Sequence, residues 1–199
     1  MKYGHFSKDG KEYIVENVAT PKPWINYLYN DEYFSTISNN GGGISYHRYP
    51  LHGRITRYRI NDVPYDRPGK YIYIKDNDSG EIWSLTWQPV GRDKDAYKVA
   101  HGFGYTRCEA KIEKIASEVV YFVPQDENAE IWKSILTNES DKARNLSVYA
   151  YVEFALGHAM VDLINQCDDQ HFNRVHFEKE FNSLFATKTY WITENGGTQ

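Results

Sequence analysis

Carboxylate, amide and imidazole side chains are frequent in the long segment between Leu156 and Asn173. The segment holds Asp162, Asn165, Gln166, Asp168, Asp169, Gln170 and His171, and His176 follows closely. Such side chains supply paired donors and acceptors for sugar hydroxyl groups. Loops at a break in regular structure are also where binding residues tend to lie. The segment is our main functional candidate, although an ordinary polar connection would have the same composition.

The same segment has the composition of a metal site without the spacing of one. Asp162, Asp168, Asp169, His171 and His176 match no standard metal-binding pattern. We favour a solvated polar loop and predict no metal ion here. A carboxylate pair for glycoside hydrolysis stays open, because it depends on a separation of roughly 5 Å or 6.5–9.5 Å that a sequence does not reveal.

Other motifs that could support catalysis are incomplete. Gly102-Phe103-Gly104 lacks the third glycine and the following helix of a dinucleotide loop, so we expect a tight turn or bulge there. The sequence has no P-loop and no Gly-x-Ser-x-Gly elbow. Cys108 and Cys167 are too few for a disulfide framework or a cysteine zinc site. We expect each to be a buried or idle thiol.

Many short strands must position these residues. Turn-forming Gly, Pro, Asn and Asp recur at short intervals, and the runs between them are rich in β-branched and aromatic residues. We predict strands at residues 43–49, 54–60, 70–74, 81–85, 119–123 and 130–136. Asp78-Ser79-Gly80 predicts a hairpin between two of them. This pattern is typical of an all-β fold, an antiparallel β-sandwich.

Two segments flank the start of the candidate loop. Residues 145–156 place six apolar side chains on one face, which predicts one half-buried strand, entered by a polar turn that reverses the chain after 131–136. Residues 159–164 are the one helix candidate, because Met160, Leu163 and Ile164 have the i, i+3, i+4 spacing of one helical face. We therefore expect one short helical turn, or a loop, near 157–170, after which β character resumes at 174–190.

Composition narrows the class of protein. The 199 residues include 23 Lys+Arg and 27 Asp+Glu, a formal net charge of -4, which lacks the basic footprint of a nucleic-acid-binding protein. No apolar run reaches the roughly 18 residues of a membrane-spanning helix. Residues 1–9 show no apolar stretch of a secretory signal. We therefore expect a cytoplasmic protein without nucleic-acid or membrane partners.

Aromatic residues make up 16% of the chain, with 17 Tyr and 5 Trp, and this favours β-structure over a Leu/Ala-rich helical bundle. Trp24, Trp83 and Trp87 could stack on the C–H faces of sugars or pack within and across strands. For any single residue we favour packing. No linker divides the chain, so residues 1–199 are expected to be a single domain. A strand signal at 186–193 leads us to expect that it is truncated before its natural end.

Seven motifs occur in an order that resembles the N-terminal region of one enzyme family. They are TPKPWINYL at 20–28, ISNNGGGISY at 37–46, DRPGKYIYI at 66–74, WSLTWQPV at 83–90, HGFGYT at 101–106, YFVP at 121–124 and YVEF at 151–154. The chain thereby resembles the cellobiose and chitobiose phosphorylases, once glycosyltransferase family 36 and now glycoside hydrolase family 94. The resemblance implies a galactose mutarotase-like supersandwich.

The resemblance also implies an activity for the parent protein. Family members carry an (α/α)6 barrel beyond the sandwich and catalyse inverting phosphorolysis of a β-linked disaccharide, which releases a sugar 1-phosphate. Their catalytic Asp and phosphate-binding groups lie on the barrel, so the resemblance implies no catalytic residue in this chain. Inorganic phosphate would be a co-substrate, and no cofactor or metal is implied. Members are usually homodimers in which the sandwich of one subunit meets the barrel of the other.

By the same resemblance, the loop after Glu153-Phe154 borders the active site of the partner subunit. Asp162-Leu163-Ile164-Asn165 matches the Asp-x-x-Asn spacing of the family. His158, Asp162, Asn165 and Gln166 are therefore predicted to bind substrate at the edge of the site. Family members often have Trp near the position of His158, and this chain has none there. Gln166-Cys167 stands where Phe-Gln is common in the family. These two departures suggest a disaccharide other than cellobiose. The alternatives are a stand-alone carbohydrate-binding sandwich and a dimerisation module.

Overall fold

Short strands joined by tight turns make up most of the computed structural model, which describes residues 3–58 and 69–189. The strands are β1 (Gly4–Phe6), β2 (Glu12–Val15), β3 (Ile25–Tyr29), β4 (Tyr33–Ser38), β5 (Ser45–His47), β6 (Arg54–Thr56), β7 (Lys70–Asp76), β8 (Ile82–Ser84), β9 (Ala96–Gly102), β10 (Tyr105–Ile112), β11 (Ile115–Phe122), β12 (Ile131–Asn138), β13 (Leu146–Val152), β14 (Phe154–Gly157), β15 (Asn173–Glu178) and β16 (Ser183–Lys188). The helices are α1 (Ala159–Ile164), α2 (Gln166–Asp169) and a 3-10 turn, Gln170–Phe172. The predicted all-β fold is confirmed.

Antiparallel pairing organises these strands into sheets. A six-stranded sheet has the order β1-β2-β9-β10-β11-β12, and a five-stranded sheet has the order β14-β6-β5-β4-β3. A three-stranded sheet, β13-β7-β8, and the hairpin β15-β16 complete the described part of the chain. The hairpin predicted at Asp78-Ser79-Gly80 is confirmed, because β7 pairs with β8.

The core lies between the six-stranded sheet and the two sheets opposite it. Strands β10 and β11 alternate strictly between buried and less buried residues, as expected for strands with one face on a core. Ile115 and Val119 are almost fully buried and meet Leu28 of β3 and Ile74 of β7 in one apolar cluster. Each such side chain adds roughly 1.5–3 kcal/mol to stability. The chain is thus a sandwich held by apolar contact across the layers.

The strand predicted at 145–156 is corrected by the structure. It divides into β13 and β14 at Glu153, whose N–H donates to the Gly69 carbonyl (2.9 Å) and whose carbonyl accepts from the Arg57 N–H (2.7 Å). These bonds move the chain from the three-stranded to the five-stranded sheet. The prediction of a half-buried strand is wrong for β13, since Val148 and Tyr149, on opposite faces of this edge strand, are each 54% exposed.

The expected pairing after β12 is wrong, and two predicted strands extend beyond the residues that the structure describes. The turn after β12 does not pair β12 with β13, because β13 joins β7 in a different sheet. Residues 59–68 and 190–199 lie outside the described part, and with them the ends of the strands predicted at 54–60 and 186–193 and the start of the motif at 66–74. Within residues 3–58 and 69–189, no helix is long and apolar enough to cross a membrane.

Candidate functional site

Short helices, rather than a single helical turn, form the candidate loop. The predicted helix at 159–164 is confirmed as α1, and α2 and the 3-10 turn follow it directly. His158 caps α1, since its Nδ1 accepts hydrogen bonds from the N–H groups of Met160 (3.2 Å) and Val161 (3.4 Å). The His158 ring also meets the edge of His52, with ring centroids 4.9 Å apart.

A buried arginine anchors the first half of the loop. Arg57 is 3% exposed and donates from Nε (2.8 Å) and Nη2 (2.5 Å) to a single oxygen, Oδ1, of Asp162. Its Nη1 donates to Glu153 Oε1 at 2.7 Å. Burial opposes the charge on Arg57, but the two carboxylates outweigh this effect and raise its pKa. Strand β6 is therefore tied both to α1 and to the chain crossing at Glu153.

A second ion pair anchors the other half. Lys188 and Asp169 form a buried pair, and Lys188 Nζ also donates to the Ala155 carbonyl at 2.7 Å. Beside it, the Asn173 side-chain amide donates to the Phe154 carbonyl at 2.8 Å. The loop is thus fastened to β14 and β16 as well as to β6. Removing one partner of a buried ion pair of this kind destabilises the protein by several kcal/mol.

The predicted site residues differ in how far they are exposed to solvent. Asp162 is only 9% exposed and is committed to Arg57, so its geometry is that of an anchor. Asn165 ends α1 and is exposed, and its side chain makes no hydrogen bond to the described residues. His158 is half-buried at the start of the loop. Gln166 opens α2, and its side chain lies outside the described residues.

The acidic residues that suggested a metal site are held apart by other partners. Asp162 pairs with Arg57 and Asp169 with Lys188, while the His176 ring stacks on Phe185. Among the described residues, no three His, Cys, Asp or Glu side chains converge as metal ligands would. Asp162 and Asp169 are thus each paired with a cation, and His176 packs against an aromatic ring.

The apolar face predicted for α1 does not point into the core. Leu163 and Ile164 are 65% and 77% exposed, and the side of α1 that is buried carries Asp162. The ion pair of Asp162 holds the helix against the sandwich. The apolar spacing therefore predicted where the helix lies in the sequence, but it did not predict which side of the helix is buried. Sequence reasoning also missed Arg57 and Lys188. The sequence carries one signal for Arg57: it lies in the segment 54–60, where the apolar residues do not share one face of a strand.

Aromatic side chains mostly pack, as favoured from the sequence. Trp83 is 2% exposed in the core, Trp24 meets Tyr13 edge-on at 5.7 Å, and Trp87 lies 6.0 Å from Tyr97. Cys108 is buried, and burial raises the pKa of its thiol to about 12, so it is inert at neutral pH. The Gly102-Phe103-Gly104 segment is the predicted tight turn between β9 and β10.

The sequence of this sandwich, with its helical loop after β14, is similar to that of a known domain family. The sequence profile described as "Glycosyl hydrolase 94, supersandwich domain" matches residues 11–199. The chain belongs to this family. The resemblance found in the seven motifs is therefore confirmed, and the supersandwich is the architecture that the strands above compose.

Relatives of the supersandwich domain include several named phosphorylases. N,N'-diacetylchitobiose phosphorylase of Vibrio proteolyticus is 40% identical over 164 residues, covering 81% of this chain and 20% of the relative. Solabiose phosphorylase of Paenibacillus borealis is 35% identical over 162 residues, covering 77% and 20%. Cyclic beta-(1,2)-glucan synthase of Rhizobium meliloti is 30% identical over 198 residues, covering 98% and 7%. The chain thus spans about a fifth or less of the length of these relatives.

Proposed function

We propose that this supersandwich is the N-terminal domain of an inverting disaccharide phosphorylase, and that its loop at 157–172 forms the edge of a sugar-binding site. The proposal includes a cytoplasmic homodimer in which the loop of one subunit borders the site of the other. It also includes an (α/α)6 barrel that carries the catalytic groups. The family membership and the sugar-active names of the relatives support this assignment.

The observation that carries the loop's role is its double anchoring. Arg57 and Lys188 fix Asp162 and Asp169 by buried ion pairs, and Asn165 projects between these two points with its amide unused among the described residues. A binding group held on a rigid support loses little conformational entropy when a ligand arrives. We assign Asn165, Gln166 and His158 to sugar contact, and Asp162 to positioning.

The proposed reaction needs little from this domain chemically. A phosphate oxygen attacks the anomeric carbon from the side opposite the glycosidic oxygen, and the glycosidic bond breaks as a general acid on the barrel protonates that oxygen. Phosphate is already an anionic nucleophile, so the general base that activates water in an inverting hydrolase has no counterpart. The domain contributes by orienting the sugar at the edge of the site.

The test uses the full-length protein that contains this domain. Asn165→Ala is expected to raise the KM for the acceptor sugar about two- to tenfold with little change in kcat, because one hydrogen bond to a neutral group is worth roughly 0.5–1.5 kcal/mol. Gln125→Ala, which removes an exposed amide on a distant loop, is the matched control. Kinetics of synthesis from sugar 1-phosphate and acceptor give both constants.

Two outcomes would contradict the proposal. If Asn165→Ala leaves the acceptor KM unchanged while the protein stays dimeric, the domain is a dimerisation module only. If the 199-residue chain alone releases phosphate from glucose 1-phosphate in the presence of glucose, catalysis does not need the barrel. We expect this chain to release none.

A further inference from the structure

A groove lies on the outer face of the five-stranded sheet, and none of the described residues that line it belongs to the loop at 157–172. It has a volume of about 580 Å³, and Tyr27, Thr36, Ile44 and Tyr46 line it. Ligand pockets typically have volumes of 300–1,000 Å³. Pro50 stands at its rim, two residues before the His52 ring that contacts His158. The groove therefore continues towards the loop.

The aromatic rings of this face stand upright on the sheet. Tyr29, Phe34 and Tyr46 lie in register on three adjacent strands, with centroids 5.5 and 5.0 Å apart and ring planes within 8° and 5° of parallel. The spacing matches the distance between neighbouring strands, so each ring face is covered by the next ring. This row is cross-strand packing and leaves mainly ring edges for a ligand.

Tyr27 lies outside that row. It is 62% exposed, it takes part in none of the ring pairs among the described residues, and its cross-strand partner is the small residue Thr36. Thr36 is fixed as the floor, because its Oγ1 accepts from the Ile44 N–H at 3.1 Å and its own N–H donates to the Ile44 carbonyl at 2.8 Å. A short floor beside a large ring leaves a slot against Tyr27.

We infer that this groove binds a neutral oligosaccharide, with one sugar ring seated on Thr36 against the Tyr27 ring. The choice of a saccharide rests on the proposed function. The lining supports it: tyrosine rings offer apolar faces to sugar C–H groups, and their hydroxyls and Thr36 offer hydrogen bonds. Among the described residues that line the groove there is no carboxylate, and one cation, Lys22, stands at its rim, which disfavours a cationic ligand.

The rigidity of the groove favours binding. Prolines at 21, 23 and 50 fix the backbone at its rim, so little order is lost when a ligand binds. Burial, together with the electrostatic effect of Tyr27, raises the pKa of Tyr46. The Tyr46 hydroxyl therefore remains a protonated donor at neutral pH.

The experiment titrates the 199-residue chain with cellotetraose and with chitotetraose, followed by calorimetry and by NMR of labelled tyrosine rings. We expect the Tyr27 and Tyr46 signals to shift and Tyr27→Ala to weaken binding about three- to tenfold. Tyr27→Trp should retain binding, because it keeps an aromatic face. Tyr149→Ala, which removes a tyrosine of similar exposure from β13, should bind like the wild type.

Three results would overturn the inference: no binding of either sugar at about 10 mM, binding that survives Tyr27→Ala, or equal loss in Tyr149→Ala. Near-UV circular dichroism of each variant verifies its fold, and Tyr27→Trp tests the site even if Tyr27→Ala unfolds. Failure here is distinguishable from failure of the proposed function. Asn165→Ala changes acceptor KM in the full-length protein and should leave tetrasaccharide binding to the groove intact.

Discussion

Arg57 shows how one buried charge can hold a surface loop. Its guanidinium satisfies Asp162 on α1 and Glu153 at the sheet crossing, residues separated from it by about a hundred positions in the chain. Such a contact cannot be exchanged for water at low cost, because all three charges would then lack partners in a poorly solvated place. The residue is therefore structural in its contacts, and under the proposed function it positions the loop at 157–172.

Removing this charge is predicted to destabilise the fold. Arg57→Met should lower the free energy of unfolding by about 3–5 kcal/mol, because Asp162 would remain buried, and Glu153 partly buried, without a counter-charge. Urea denaturation at pH 7 measures the change. Arg92→Met is the control, since Arg92 pairs with Glu81 and Glu113 at the surface and should cost about 1 kcal/mol or less. Equal losses in the two variants would refute the anchoring role.

His101 gives the fold a specific sensitivity to acid. Its Nδ1 lies 3.0 Å from Thr106 Oγ1, and its Nε2 is buried with no hydrogen-bond partner in range among the residues that the structure describes. Burial lowers the pKa of the ring from 6.5 to about 4, and the backbone of Trp24 opposes this effect only in part. Between these two values the unfolded chain binds a proton that the folded chain does not. Stability contributed by neutral His101 is therefore fully present above pH 6.5 and is lost as the pH falls towards 4.

This linkage predicts a loss of about 2 kcal/mol between pH 7.5 and pH 5 that belongs to His101 alone. His101→Gln keeps a polar side chain and removes the titration, so its unfolding free energy should fall less over the same interval. Denaturation at both pH values, in both proteins, isolates the difference from the titration of carboxylates. Identical pH profiles for the two proteins would show that His101 is not the group responsible.

At the scale of elements, the turn between β4 and β5 needs glycine for steric reasons. A Cβ on Gly43 would lie 1.9 Å from the Thr36 carbonyl oxygen, and a Cβ on Gly41 would lie 2.3 Å from the Thr86 Cβ. The turn must therefore pass close to other backbone and to the loop after β8. This is the physical reason for the glycine run in the motif at 37–46.

Gly43→Ala is predicted to cost at least about 2 kcal/mol of unfolding free energy, because backbone must move to admit the methyl group. Gly10→Ala is the matched control: Gly10 has φ +71 but nothing within 4 Å of its Cβ position, so only about 1 kcal/mol of backbone strain is expected. Thermal unfolding of both variants provides the comparison. A smaller loss at Gly43 than at Gly10 would contradict the steric argument.

Elements were predictable where one local rule decides them. Alternation, the Asp78-Ser79-Gly80 turn and the i, i+3, i+4 spacing located β-strands, the β7–β8 hairpin and the bounds of α1. The anchors of the candidate loop were not predictable, because they join residues about a hundred positions apart and depend on which sheet each strand enters. The division of the predicted strand at Glu153, and the pairing of β13 with β7 instead of β12, were not predictable for the same reason. Local pattern carries no information on such distant contacts.

At the scale of the whole molecule, apolar side chains remain exposed on several strands. Ile135 of β12 and Val148 of β13 are 46% and 54% exposed, and Phe177 and Leu184 of the β15-β16 hairpin are 55% and 68% exposed. Exposed apolar groups on edge strands favour pairing with other chains. These edge strands therefore expose apolar side chains that can pair with strands of another protein chain.

We predict that the 199-residue chain self-associates at high protein concentration through these strands. Val148→Lys combined with Leu184→Lys should reduce the association, because charge on an edge strand opposes strand addition. Sedimentation velocity over a range of concentrations measures it. Phe103→Lys, at a turn tip that is 91% exposed, is the control and should leave the association unchanged. An equal effect of Phe103→Lys would indicate general charge repulsion instead.

The two ion pairs of the loop have a consequence for how its specificity can diverge. Asp162 and Asp169 are held in place by their ion pairs. The residues between them, 163–168, can therefore change in sequence while the ends of the segment stay fixed to the sandwich. Under the proposed function, we expect substitutions there to change the contacts with a sugar without disturbing the sandwich beneath the loop. Transplanting this stretch from a relative should transfer part of that relative's substrate preference to an otherwise unchanged protein.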